Sequence, residues 1–185
     1  MKKLGKLAGN YLRMADTPLM LLCIAASVFG LVLIYSATRS YENGRYMPVQ
    51  AVALVLGLVL FIVFSLIDTD VITDRWYLLV GFNLLLLAAL RLFGEAGDTG
   101  NRSWIRFGGI GIQPSEVLKI TFILLLSRQI TRLQESKRGL SGFFSALSLA
   151  LHFALLFGIY IIISADAGNG LVFLVIFAAM RFAGG

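Results

Sequence analysis

The chain has 185 residues, of which 58% are hydrophobic and 14% are charged, and it carries a formal net charge of +6. Its mean hydropathy is +0.86. A water-soluble domain carries about 25% charged residues and cannot bury this much apolar surface in one core, so the composition excludes a soluble protein. The basic charge does not indicate nucleic-acid binding, because no basic stripe is interleaved with aromatic residues. The single cysteine, Cys23, excludes an intrachain disulfide, and no Cys/His spacing is typical of a metal site.

Six apolar runs predict an all-α, polytopic membrane protein with about six transmembrane helices. A bilayer core about 30 Å thick needs roughly 20 apolar residues per helix, and it offers no water to unpaired backbone groups. The first run is longer than the apolar core of about 7–15 residues in a signal peptide, which favours an uncleaved helix. The predicted helices form one integral membrane region over 1–185 and span residues 18–38, 48–67, 76–93, 114–130, 143–164 and 170–185.

Two basic clusters predict the orientation of the chain. Alternation of the six spans puts both clusters on one side of the membrane, and the positive-inside rule makes that side the cytoplasm. The clusters consist of Lys2, Lys3, Lys6 and Arg13, and of Arg128, Arg132, Lys137 and Arg138. The acidic connector 68–75 is predicted on the same side, but it adds no support to the predicted orientation, because the rule counts basic residues. The segments 39–47, 94–113 and 165–169 are predicted outside.

The glycine-rich outer segment 94–113 contains candidate ligand-binding side chains. Arg102 and Arg106 are suited to bidentate hydrogen bonds with phosphate or carboxylate. Trp104 is suited to the membrane interface. Together they would hold an amphiphile with an anionic head and an apolar tail. The alternative is an ordinary interfacial loop with an aromatic anchor, and the residues by themselves favour that alternative.

The fourth run opens with Gln113, Pro114, Ser115 and Glu116, and Lys119 follows three residues after the glutamate. Proline fits the first turn of a helix, and Glu116 is favoured at the positive end of the helix dipole. Lys119 is expected on the same helix face as Glu116. Charges at a membrane helix are costly, so the pair is a functional candidate. A structural clamp between helices explains it equally well.

Asp166 lies in the turn between the fifth and sixth runs. Aspartate is a favoured N-cap, so the preferred interpretation is that it caps the sixth helix, and the alternative is that it lines a polar cavity. Within the runs, His152 is expected to hydrogen-bond to a neighbouring helix, and Arg181 to extend toward cytoplasmic headgroups. The sequence shows no nucleophile–base–acid set, phosphate-binding loop or metal-ligand cluster.

These motifs resemble, in order, those of the SEDS family (shape, elongation, division and sporulation), which comprises RodA-, FtsW- and SpoVE-like proteins. Residues 35–38 are similar to the end of its first helix, and 100–105 to its Gly-Ala-x-x-Trp-Ile segment. Residues 113–119 are similar to its Gln-Pro-Ser-Glu-x-x-Lys motif. Residues 166–168 occupy the place of its Gln-Pro-Asp-x-Gly-Thr turn. There, Ser164 and Ala165 replace Gln-Pro, and Asn169 replaces Thr.

The resemblance implies a bacterial plasma-membrane protein with a cytoplasmic N-terminus, in which this chain corresponds to the first half of a fold of about ten helices. The implied activity is that of a peptidoglycan glycosyltransferase that polymerises lipid II and releases undecaprenyl diphosphate. The implied partner is a class B penicillin-binding protein, in cell elongation, division or sporulation. The alternatives are a lipid II transporter, or flippase, and a truncated non-catalytic scaffold.

The resemblance also implies site residues. The substrate-binding candidates are Arg102, Trp104, Glu116, Lys119 and Asp166, with motif or structural roles for Gln113, Pro114, Ser115 and Gly168. The presumed catalytic aspartate of the family lies in a loop of the second half, and no residue here matches it. No metal site is predicted, and the cofactor is left open: a divalent cation is one option, without a visible ligand cluster.

Because that loop is not matched, we expect the 185-residue chain to be unable to polymerise glycan by itself. The measurement is incubation of the purified chain with lipid II, followed by separation of the glycan products. Detectable polymer from the purified chain would contradict this expectation.

Overall fold

The computed structural model describes residues 17–39, 46–96, 100–107, 110–136 and 142–185. Six basic residues on which the predicted orientation depends lie outside the described residues: Lys2, Lys3, Lys6, Arg13, Lys137 and Arg138. The chain divides into two compact units, Met1–Asp68 and Thr69–Gly185. Each unit has its own packing.

Unit 1 contains two helices that pack against each other, α1 (Thr17–Thr38) and α2 (Tyr46–Ser65). Neither has a buried residue, and both are apolar around their whole circumference, as expected of helices that face lipid. Three of their hydroxyl groups donate to carbonyls one turn earlier in the same helix. The hydroxyl of Ser27 donates to the carbonyl of Cys23 at 2.7 Å, and that of Ser65 to Phe61 at 2.6 Å. Such bonds let polar side chains sit in hydrocarbon.

Unit 2 is built around one central helix. Its elements are α3 (Thr69–Asp74), α4 (Trp76–Phe93), β1 (Gly94–Glu95), β2 (Trp104–Phe107), β3 (Ile110–Ile112), α5 (Pro114–Glu135), α6 (Phe143–Ser164) and α7 (Ala167–Ala183). Helix α5 packs against α3, α4, α6 and α7. Its buried apolar residues recur at helical spacing: Leu118, Phe122, Leu125, Leu126 and Ile130.

Phe122 lies at the centre of the core. Its ring meets the rings of His152 on α6 and Phe173 on α7 edge to face, with centroids 5.7 Å apart in each case. Edge-to-face contact is favoured over face-to-face stacking because the ring edge is positive and the ring face negative. His152 Nδ1 also contacts Gln129 Oε1 of α5 at 2.7 Å, which confirms the predicted hydrogen bond to a neighbouring helix.

Four of the described helices are long and apolar enough to cross a membrane: α1, α2, α4 and α6. Helix α7 is apolar but has 17 residues, and α5 has 22 residues but carries charged side chains at both ends. The polytopic α-helical fold class is confirmed. The number of six spans stays a prediction.

Several element bounds differ from those expected. Helix α5 continues five residues past 130, so that Arg132 also lies on the helix, and α7 begins three residues before 170. The connector 68–75 contains α3. Arg128 Nη1 donates to Asp74 Oδ1 at 3.2 Å and to the carbonyl of Thr73. The connector and the basic end of α5 therefore lie at the same end of unit 2, as alternation of the spans predicts.

The segment 94–113 contains an antiparallel sheet with strand order β1-β2-β3, which the sequence did not indicate. Glu95 pairs with Trp104, and Arg106 pairs with Gly111. A Cβ on Gly111 would lie 3.0 Å from Cε3 of Trp104. A glycine at this position lets the indole lie across the neighbouring strand.

The close packing of α6 and α7 depends on Gly170, which is buried on α7. A Cβ at this position would lie 2.6 Å from Phe157 Cε2 and 2.9 Å from Ile161 Cδ1. We expect Gly170→Ala to lower the free energy of unfolding by about 1–3 kcal/mol, because core overpacking forces side chains and backbone to shift. The measurement is thermal unfolding of the purified chain in detergent.

The matched control is Gly158→Ala on α6. No atom lies within 4 Å of the position its Cβ would take, so this substitution changes helix propensity without a clash. Equal unfolding midpoints for the two variants would show that the close approach at Gly170 contributes nothing to stability.

Candidate functional site

Helices α6 and α7 are joined by two residues, Ala165 and Asp166. Ala165 ends α6 in the left-handed region at φ 55°, and its N–H bonds to the carbonyl of Ile161 at 2.9 Å. Asp166 then caps α7, since its Oδ1 accepts the N–H of Asn169 at 3.0 Å. The predicted N-cap role of Asp166 is confirmed.

The other carboxylate oxygen of Asp166 accepts hydrogen bonds from three side chains. Oδ2 accepts hydrogen bonds from Ser103 Oγ at 2.7 Å, Asn169 Nδ2 at 2.8 Å and the Tyr160 hydroxyl at 3.4 Å. The residue is 8% exposed. A buried carboxylate is costly unless it is fully hydrogen-bonded, and this one has four donors. Asp166 is therefore the centre of a buried polar network as well as a helix cap.

The same turn binds the chain that leads into β2. The backbone N–H of Arg102 donates to the carbonyl of Ser164 at 2.8 Å, next to the bond between Ser103 and Asp166. These two bonds attach the segment before β2 to the end of α6. The turn thus positions the outer sheet relative to the helices.

Lys119 and Glu116 form the ion pair expected from their spacing, with Nζ 2.8 Å from Oε1. The lysine side chain is 17% exposed and the glutamate side chain 59% exposed. Nζ also lies 3.5 Å from Oδ1 of Asn169. Asn169 therefore connects the carboxylate of Asp166 to the ammonium group of Lys119, and so links α7 to α5.

The pKa of Asp166 lies below its ordinary value of 3.8. Burial by itself would raise the pKa, but the hydrogen bonds from Asn169, Ser103 and Tyr160 stabilise the charged form and outweigh it. The carboxylate is therefore ionised at neutral pH. Asn169 lies between this carboxylate and the ammonium group of Lys119, and contacts both.

The remaining candidates surround this network. Pro114 and Ser115 are buried in the first turn of α5, Gln113 is the residue before it, and Gly168 lies in the first turn of α7. The side chains of Arg102 and Trp104 are exposed, and among the described residues the Arg102 guanidinium makes no hydrogen bond or ion pair. The structure brings Glu116, Lys119 and Asp166 together and leaves Arg102 and Trp104 at the edge.

Sequence reasoning missed Tyr160, Ser103 and the linking role of Asn169. Tyr160 is fully buried inside an apolar run, where a tyrosine has no periodic or motif signal. Ser115 is also fully buried, and its hydroxyl makes no hydrogen bond of normal geometry with the described residues, although the Tyr160 hydroxyl is its neighbour. No group of three or more His, Cys, Asp or Glu side chains that would hold a metal ion occurs in the described ranges.

The comparisons with known proteins all indicate the same family. Residues 17–185 match the model of a family described as cell cycle protein, which covers FtsW, RodA and SpoVE. The chain is 34% identical over 177 residues to the peptidoglycan glycosyltransferase RodA of Treponema pallidum, covering 92% of this chain and 39% of the relative. It is 32% identical over 178 residues to the probable peptidoglycan glycosyltransferase FtsW of Geobacter metallireducens, covering 89% and 46%.

Two solved structures share the fold. The rod shape-determining protein RodA of Thermus thermophilus is 27% identical, with a TM-score of 0.76 over 92% of this chain and 54% of that one. A chain of a peptidoglycan synthase complex is 26% identical, with a TM-score of 0.70 over 86% and 44%. The chain spans about two fifths to one half of the length of the curated relatives it matches.

The depressed pKa of Asp166 makes its contribution to stability dependent on pH. A carboxylate whose pKa is lowered by folding stabilises the folded state above its unfolded pKa, and this contribution is lost as the pH falls through the folded pKa. We expect Asp166→Asn to lower the free energy of unfolding by about 1.5–3 kcal/mol at pH 7, since hydrogen bonds to a charged group are lost. The difference from the parent should shrink below pH 3.8.

The measurement is denaturant unfolding in detergent at several pH values. The control is Asp74→Asn, which removes an exposed carboxylate from its ion pair with Arg128 and should cost less than about 1 kcal/mol. Equal losses for the two variants at pH 7, or a loss at Asp166 that grows on acidification, would refute the proposed role of the buried carboxylate.

Proposed function

Because residues 17–185 match its model, the chain belongs to the FtsW/RodA/SpoVE cell cycle protein family, and we propose that it forms the N-terminal membrane part of a peptidoglycan glycosyltransferase that polymerises lipid II. Both curated relatives described above carry the name peptidoglycan glycosyltransferase, one of them as probable. The activity is proposed for a full-length family member. This chain would supply part of the surface that holds the lipid-linked substrate.

The observation that carries the proposal is the polar network at the N-terminal end of α5. A lysine ammonium has three N–H donors, and Glu116 and Asn169 engage two of those of Lys119. The third is left for an oxygen of the substrate diphosphate. Because Glu116 and Asn169 fix the position of the ammonium group, little side-chain entropy remains to be lost when the anion binds.

The carboxylates are proposed to act on this cation and not on the phosphates. Glu116 orients Lys119 through the 2.8 Å ion pair. Asp166 has both oxygens occupied by donors, so its role is to position Asn169 and the segment leading into β2. The exposed Arg102 guanidinium, with donors suited to phosphate, and the exposed indole of Trp104 would meet the head and the apolar part of the lipid.

The proposal includes an orientation and a partner. The N-terminus is placed in the cytoplasm, so that the Asp166 network faces the outer side, where glycan is assembled. A class B penicillin-binding protein is proposed as the partner that cross-links the product. The likeness to a chain of a solved peptidoglycan synthase complex supports the partner, and the basic residues of α5, at the end opposite the network, support the orientation.

Transport of lipid II across the membrane is the second candidate function. The charged pair at the N-terminal end of α5 is compatible with transport, because charges in membrane helices also line translocation pathways. Polymerisation requires a second lipid II as acceptor and yields a glycan chain, whereas transport changes only the leaflet that holds the lipid. The two are separated by measuring both products from one reconstituted preparation.

We expect alanine at the positions matching Lys119, Glu116 and Arg102 in a full-length relative to impair growth complementation and lipid II polymerisation. Loss of one phosphate-binding cation should lower the rate by about 10²-fold or more, as removal of a single electrostatic stabiliser does. The measurements are complementation of a depletion strain, glycan product from reconstituted enzyme, and lipid II flipping in the same vesicles.

The control is alanine at the position matching Arg91, an exposed arginine in the last turn of α4 that the proposal does not use. Wild-type growth and polymerisation from all three site variants would overturn the assigned roles. Normal polymerisation combined with lost flipping would favour transport. Protein levels in the membrane are measured in parallel, so that loss of activity is separated from loss of the protein.

A further inference from the structure

A groove lies between α4, α5 and α6, at the end of unit 2 opposite the Asp166 network. Its volume is about 510 Å³, within the range of about 300–1,000 Å³ that ligand pockets occupy. Most of its wall is apolar, formed in part by Val80, Leu125, Leu151 and Leu155. The two charged residues in the wall are both arginines, Arg128 and Arg132.

The groove runs from headgroup level into the hydrocarbon. Trp76 is the first residue of α4 and Arg132 lies in the last turn of α5, and both line the groove. Aromatic and basic residues at helix ends mark the interface between membrane and water. Leu125 lies seven positions before Arg132 on α5, or about 10 Å along the axis, which is less than the roughly 15 Å thickness of one leaflet.

Among the described residues, no acidic side chain in the wall of the groove balances the charge of its two arginines. Arg128 is occupied by Asp74 and the carbonyl of Thr73. Arg132 is exposed and makes no ion pair or hydrogen bond within the part of the chain that the structure describes. The acidic side chains nearby, Asp70 and Asp74, line a second, smaller cleft, whose wall also includes Arg128 and Arg132. Arg132 therefore offers its donors to an anion at the mouth of the groove.

The polar side chains deeper in the wall are already paired with one another. Gln129 Nε2 donates to Ser148 Oγ at 3.3 Å, and Gln129 Oε1 contacts His152 Nδ1 at 2.7 Å. Each of these three side chains therefore already has a polar partner within the wall. The inner part of the groove can accept a hydrocarbon chain without leaving these polar atoms unpaired.

We propose that this groove binds one anionic diacyl phospholipid, with the phosphate on Arg132 and an acyl chain against Leu125, Leu151 and Leu155. A free phosphate compound would leave the apolar wall uncovered, and a neutral lipid would gain little from Arg132. The site is separate from the proposed glycan chemistry. Arg132 lies 13 positions beyond Lys119 on α5, or about 20 Å along the helix axis.

The test uses the full chain reconstituted in vesicles of equal phosphatidylglycerol and phosphatidylcholine, then extracted and analysed for retained lipid by native mass spectrometry. The parent should retain phosphatidylglycerol preferentially. Arg132→Gln should lower that preference roughly fivefold, as expected for one basic residue at an anionic surface, whereas Arg132→Lys should keep most of it. Leu151→Trp, which fills the groove, should lower retention of either lipid.

The matched control is Arg91→Gln, which removes the same charge from an exposed position at the opposite end of α4. Retention of both lipids in equal amounts by the parent would overturn the proposal. So would an equal effect of Arg91→Gln and Arg132→Gln, or unchanged retention by Leu151→Trp. Displacement of the bound lipid by millimolar glycerol 3-phosphate would show that the site recognises the phosphate alone.

Discussion

The arrangement of this end of the protein depends on one buried carboxylate. Asp166 is ionised and nearly inaccessible, so its oxygens must all be satisfied by donors from the protein. Those donors come from the end of α6, the start of α7 and the segment before β2. Because all three segments must bring a donor to the same carboxylate, these bonds constrain how the two helices and the sheet meet. Through Asn169 the constraint extends to Lys119 on α5.

Helix α5 serves two surfaces with different chemistry. Its first turns carry the ion pair that meets the Asp166 network, and its last turns carry the arginines at the mouth of the groove. Between them, a buried face centred on Phe122 holds α4, α6 and α7 together. Because the middle of the helix is rigidly packed, the positions of both ends are fixed relative to each other. The helix is less apolar than its neighbours because it carries polar and charged side chains at both ends. Its apolar face packs against protein.

Much of the site could be predicted from the residues. The spacing of Glu116 and Lys119 places them on one helix face, and an aspartate before an apolar run is a usual N-cap, so both contacts follow from local geometry. The sheet formed by residues 94–95, 104–107 and 110–112 could not be predicted. Its strands are only two to four residues long, which is too short to show an alternating pattern of apolar and polar residues. Ser103 was missed because its partner Asp166 lies 63 positions away in the sequence, and Tyr160 because it lies inside an apolar run that gives no motif signal.

The sequence by itself determined the membrane class, the approximate helices, the family resemblance and the short-range pairs, because hydropathy, capping and helical spacing act over a few residues. Tertiary structure alone decided that Ser103, Tyr160 and Asn169 converge on one carboxylate, and that Asn169 links this carboxylate to Lys119. It also decided that Arg128 is occupied by Asp74 while Arg132 stays unpaired among the described residues. The reason is physical: a buried charge or a groove is defined by groups brought together from different helices, and no local pattern records which groups those are.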